Sequence, residues 1–177
     1  MPLALTDLLS PDAPVQGELR VSVPIRDWPR VAALVAEAAA GEDPGGAIGV
    51  DVSVAPLAGA AGVVTVTGRV SASLPLQCQR CLETVVVEVD QALSLAVTAE
   101  GEEQLAPERM EAWPLTAGPV RLGELLEDEL LLATPLVPMH TDLADCGELR
   151  GTLDALQRSD EPAVAESPFA ALKNLKR

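Results

Sequence analysis

The chain is short of reactive side chains. Its 177 residues hold one histidine, three cysteines, one phenylalanine, two tryptophans and no tyrosine. With 2% aromatics the core cannot rest on ring packing, so the 48% hydrophobic content points to Val, Leu, Ala and Ile as its material. No apolar run approaches the roughly 18 residues of a membrane span, so no transmembrane helix is expected. The opening Met1-Pro2-Leu3-Ala4-Leu5-Thr6-Asp7 lacks a basic region followed by a long apolar stretch, so no secretory signal is expected either. An odd cysteine count without an export signal suggests a reducing cytoplasm, where structural disulfides are rare. Positive charge is scarce as well. Twelve basic residues face 27 acidic ones, for a net charge of −15. Such a field repels a phosphate backbone and attracts cations and basic proteins, which argues against broad nucleic-acid binding. It also serves solubility.

What is present reads as one α+β domain over residues 1–149. Leu19, Val21, Val23 and Ile25 alternate as a strand does. Asp27 before Trp28-Pro29 suggests a cap and first-turn proline for a short Ala-rich helix over 29–40, ended by Gly41–Gly46. Three longer alternating segments follow at 47–57, 63–78 and 84–97. Ile48, Val50, Val52 and Val54 share a face in the first. Val64, Val66, Val70, Leu74, Leu76 and Cys78 do so in the second, and Val85, Val87, Val89, Leu93, Leu95 and Val97 in the third. Short links make these antiparallel hairpins. The expectation is therefore a strongly bent antiparallel sheet of about four strands, with the bend at Gly68 or Pro75 because the middle strand would otherwise exceed about 45 Å. The glycines at 45–46 and 59–62 lack the pattern of a phosphate cradle and read as turns. Residues 98–120 form an acidic, proline-containing stretch that reads as a surface loop.

Residues 122–133 form an acidic amphipathic helix whose buried stripe is Leu122, Leu125, Leu126, Leu130 and Ala133, stopped by Pro135 and Pro138. Glu124, Glu127, Asp128 and Glu129 read as a solvated face rather than acid/base carboxylates. Glu124 and Asp128 are like charges at i, i+4, a pairing easier to understand if a cation sits there. Residues 150–177 read as a polar tail ending in a short amphipathic helix from Ser167-Pro168, with Phe169, Leu172 and Leu175 beside Lys173, Lys176 and Arg177. We read it as a segment that docks on a partner.

The four soft ligands fall into two clusters. Cys78 and Cys81 form a Cys-Gln-Arg-Cys turn between two strands, a knuckle that lets both thiolates reach one ion. His140 and Cys146 follow the acidic helix. Together they suggest a Cys₃His site suited to Zn²⁺, with Asp142 and Asp145 as stand-in ligands. The plainer alternative is a half-buried hairpin cap beside an ordinary loop histidine. A redox role for the pair beside Arg80 would require a lowered thiol pKa, yet no helix start is there to lower it.

Three stretches resemble the YceD family, named for large ribosomal RNA subunit accumulation. They are Leu76-Gln77-Cys78-Gln79-Arg80-Cys81 after a Val/Thr/Ser strand, residues Leu125–His140 with Cys146 beyond, and the end from Ser167 to Lys176. The resemblance implies a bacterial cytoplasmic protein needed for synthesis, processing or stability of 23S ribosomal RNA, without catalytic residues to carry over. Some members hold a fuller second cysteine cluster where this chain has His140 and Cys146. Combined with the charge, the resemblance suggests a non-catalytic factor that binds a basic large-subunit ribosomal protein or assembly intermediate, with RNA affected indirectly. The alternatives are a zinc-knuckle protein binding RNA directly through Arg80 and the Lys173–Arg177 end, and a cytoplasmic thiol redox protein. An exposed sheet edge would allow a dimer.

Overall fold

Alternating Val-rich segments build a five-stranded sheet in the order β2-β3-β4-β5-β6: Gly17–Pro24 (β2), Ala47–Pro56 (β3), Val63–Gln77 (β4), Thr84–Ala99 (β5) and Glu111–Leu115 (β6). A separate two-stranded sheet joins Leu8–Leu9 (β1) to Val120–Arg121 (β7). The two helices are Pro29–Ala36 (α1) and Leu122–Ala133 (α2). The computed structural model describes residues 3–36, 38, 45–147, 151, 152 and 155. By internal contact the chain divides into two units, Met1–Met139 and His140–Arg177. The expected tail helix from Phe169 and residues 41–44 of the expected helix end lie outside the described residues. No helix among the described residues is long and apolar enough to cross a membrane.

The alternation does what period-2 patterning predicts. Ile48, Val50, Val52 and Val54 of β3 are buried, as are Val64, Val66, Val70, Leu74 and Leu76 of β4 and Leu93, Leu95 and Val97 of β5. On the edge strand β2 only Leu19 is fully covered, and Val21 is exposed. Leu122, Leu125, Leu126 and Leu130 of α2 are fully buried, and α2 packs on β4 and β5.

The sheet corrects two expectations. It is mixed rather than antiparallel, because β6 pairs in parallel with β5 from Leu95↔Glu111 to Ala99↔Leu115. That fifth strand comes from the stretch read as a loop. Its five residues include Pro114, which removes a ladder donor and argues against a strand unless the strand lies at an edge, as β6 does. The stretch also carries a 3₁₀ turn, Glu103–Leu105, in contact with β5 and β6. At this end both faces of β5 are buried, Ala96 and Thr98 as well as Leu95 and Val97.

The long strand β4 keeps one register with β5 from Val63↔Thr98 to Gln77↔Thr84. It pairs with β3 only as far as Gly49↔Ser71. Beyond Ser71 the β4–β5 hairpin continues as a two-stranded arm, which explains how β4 accommodates Pro75 on a one-sided stretch. The irregular backbone is at Gly68, where φ is +135° and a Cβ would lie 2.1 Å from the Asp51 carbonyl oxygen. Only glycine permits that approach of β4 to β3.

Candidate functional site

The cysteine turn closes the far end of the arm. The Cys78 N–H donates to the Glu83 carbonyl at 2.8 Å, and the Leu82 N–H donates back to the Cys78 carbonyl at 2.8 Å. To close so tightly the chain places Leu82 at φ +65°, a left-handed conformation unfavourable for leucine. The Gln79 N–H donates at 2.8 Å to the carbonyl of Pro138, so the turn is tied to the Pro-Leu-Val-Pro segment after α2. The N–H groups of Cys78, Gln79 and Leu82 are thus all spent on backbone carbonyls. Cys78 and Cys81 are both buried.

In the second unit a single 3₁₀ turn, Leu143–Asp145, sets the other pair. Asp142 Oδ1 accepts from the Ala144 N–H at 2.8 Å and caps the turn. The Cys146 N–H donates to the Leu143 carbonyl at 3.1 Å. Cys146 is buried, and its Sγ lies 3.8 Å from Nδ1 of His140. Asp142 thus holds the backbone of the turn.

Cys78, Cys81, His140 and Cys146 each offer one ligand atom of a kind a metal ion takes. Three thiols and an imidazole are a donor set zinc accepts. For Zn–S near 2.3 Å and Zn–N near 2.0–2.1 Å, tetrahedral geometry separates a sulfur from a nitrogen by roughly 3.6 Å. The observed 3.8 Å between Cys146 and His140 is close to that edge. The four residues fit the ion by chemistry, the His140–Cys146 pair also by its spacing, and they could bind a metal. Burial of all three cysteines also deprives thiol exchange of the access it needs, which weighs against the redox alternative.

The acidic helix differs more from its sequence reading. Glu127 is not solvated: it is 4% exposed, and its Oε1 accepts from the N–H groups of Arg30 at 2.7 Å and Val31 at 3.1 Å. Its Oε2 accepts from Arg30 Nε at 3.0 Å. A carboxylate of α2 therefore caps the first turn of α1, where unpaired N–H groups and the helix dipole favour negative charge. Asp27 had been the expected cap. Glu129 is buried as well. Its burial, then the negative charge of Glu111, push its carboxyl above the ordinary range, while a bond from Gln91 opposes the shift. The signal for Glu129 was present, since it lies seven residues from Leu122 and so on the stripe itself. Nothing local announces Glu127, because its partners are about a hundred residues away.

Glu124 and Asp128 are not left as a bare like-charge pair. Arg121 donates to Glu124 Oε1 at 2.9 Å, and its side-chain bond holds the Glu124 carboxyl below the usual range. Arg30 pairs with Asp128. Two arginines of the chain itself offset the i, i+4 repulsion.

Residues 66–176 match the family model described as large ribosomal RNA subunit accumulation protein YceD. The chain belongs to the YceD family. A relative bearing the same description, from Haemophilus influenzae, is 31% identical over 121 residues, covering 65% of this chain and 67% of that protein. No solved structure matches the chain. The family match includes most of β4, the cysteine turn, β5, α2 and the His140–Cys146 pair. The YceD description names an accumulation and no reaction.

Proposed function

We propose that this YceD-family protein is a non-catalytic cytoplasmic factor in ribosome biogenesis that supports 23S ribosomal RNA by binding a basic large-subunit ribosomal protein. The family membership carries the connection to large-subunit RNA. The net charge of −15 supports the route. A domain this anionic has no broad surface for a polyphosphate but is suited to a polycation. By holding a basic protein it would screen that protein's charge until RNA, with its higher charge density, displaces it. Cys78, Cys81, His140 and Cys146 would hold Zn²⁺ in a structural role. A bound zinc supplies folding energy to a site of this composition rather than a reactive water. With the ligands provided by protein thiols and imidazole, the chain's own work is to hold the hairpin turn closed.

The test uses purified protein, large-subunit RNA and a basic large-subunit protein at about 50 and 150 mM salt, across which surface charge effects weaken. The expected result is salt-sensitive retention of the basic protein, little retention of RNA alone, and release of the basic protein when RNA is added. Tight binding of RNA by the isolated protein at the higher salt would establish direct RNA binding instead.

A further inference from the structure

Helices α1 and α2 touch. Arg30, at the start of α1, meets Glu127 and Asp128 of α2. One turn later Leu34 shares a groove with Leu131. Two cavities open along this seam. The first, about 600 Å³, has apolar walls at Trp28 and Val120 and a charged lining in which Asp27, Glu124, Glu127 and Asp128 outnumber Arg30 and Arg121. The second, about 270 Å³, includes Leu34, Leu76, Leu131 and Leu136 and no charged residue. The seam is thus graded, acidic at one end and apolar at the other.

The exposed side of α2 repeats the gradient. Glu124, Asp128 and Leu132 follow one another at intervals of four and form one row. Leu132 is 79% exposed, and Leu136, just past the helix, is 99% exposed. Val137 and Met139 are exposed beside it. The bond from the Gln79 N–H to Pro138 anchors this segment to the cysteine turn. Large apolar side chains gathered on one surface mark an interaction site more often than they occur without purpose.

We infer that the α1–α2 seam docks a cationic amphipathic helix of a protein partner, with its apolar side chains in the Leu34–Leu131–Leu136 groove and its Lys or Arg side chains over Asp27, Glu124 and Asp128. The inference deepens the proposed function and rests on it. Charge complementarity selects the occupant. A second copy would bring another −15, and RNA would place phosphate against the acidic end. The 12 residues of α2 span about 18 Å, enough to seat about three turns of a partner helix.

The probe is a fluorescein-labelled Leu/Lys amphipathic peptide of about 18 residues, with polylysine of equal charge as the comparison, titrated against the full chain by fluorescence anisotropy. Wild type binds both, and binds the amphipathic peptide more tightly. Leu132→Ser combined with Leu136→Ser weakens the amphipathic peptide about tenfold or more and leaves polylysine unchanged, since exposed leucines contribute burial only on docking. Both sites are exposed, and circular dichroism verifies the fold. Glu124→Gln with Asp128→Asn weakens the amphipathic peptide and flattens its salt dependence. Equal peptide affinity for wild type and the double serine variant overturns the docking seam while leaving the basic-partner reading intact. Failure of wild type to bind either polycation overturns that reading itself. A wild-type dimer that the double serine variant abolishes assigns the surface to a second copy and also overturns the inference.

Discussion

Two glutamates of α2 show how burial changes what a carboxylate does. Glu127 is buried with three donors, two of them the first N–H groups of α1. Replacing it with alanine leaves those donors and Arg30 without their acceptor. Glu127→Ala should therefore cost about 2 kcal/mol, the sum of a lost cap and a lost charged bond, measured by urea unfolding. Glu129 behaves in the opposite sense. Its folded pKa is raised above the ordinary 4.5, chiefly by burial. The native state then holds a proton that the unfolded chain has released, so stability falls as pH climbs from the unfolded pKa through the folded one. Glu129→Gln removes that penalty and retains an acceptor for Gln91. Thermal unfolding should show the variant more stable than wild type at pH 7, with the gain vanishing well below pH 4. A gain that persists at low pH would show that charge is not the cause. At this scale the helical period already placed Glu129 on the stripe beside Leu126 and Leu130. Glu127 was illegible because a long-range cap leaves no periodic trace.

Elements were read where one segment carries its own pattern. The three long strands, the limits of α2 and the cysteine turn follow from alternation, leucine spacing and prolines. Strand β6 was missed because a five-residue edge strand containing Pro114 looks like a loop until β5 supplies the partner. The strands β1 and β7 have two residues each, too few for any period. Gly68 was singled out as a place of bending, and what the structure shows there is close approach. A methyl group would meet the Asp51 carbonyl oxygen at 2.1 Å and the Val52 Cα at 2.8 Å, with φ at +135°. Gly68→Ala should lower stability by about 1–3 kcal/mol from backbone strain alone. A substitution at Gly59, whose Cβ would meet nothing within 4 Å but whose φ is also positive, should cost less. Parallel urea titrations of the two alanine variants compare crowding with strain.

For the whole molecule, the sequence alone suggested the four-ligand set and the acidity, because both are counts of rare or lopsided residue types. The mixed sheet and the graded α1–α2 seam were not readable, since each needs segments far apart in the chain to meet. The metal proposal makes a direct prediction. Protein purified without chelator should carry about one zinc per chain, and Cys78→Ser should reduce that content sharply, measured by elemental analysis. Chelator should lower the melting temperature of wild type and leave Cys78→Ser unaffected. Metal-free wild type with an unchanged melting temperature in chelator would return the cysteines to the role of a packed hairpin end.

The one-sided pairing of the hairpin beyond Ser71 sets an order of solvent penetration. Amides from Ala72 to Gln77 rely on a single neighbouring strand, whereas those from Val64 to Val70 lie between two. Deuterium should enter the outer amides first, by fraying that leaves the inner ladder intact. Thiolates clamped at its tip would turn the loosest end of the longest ladder into a latch, so exchange at Leu74 or Leu76 would report whether the latch is shut.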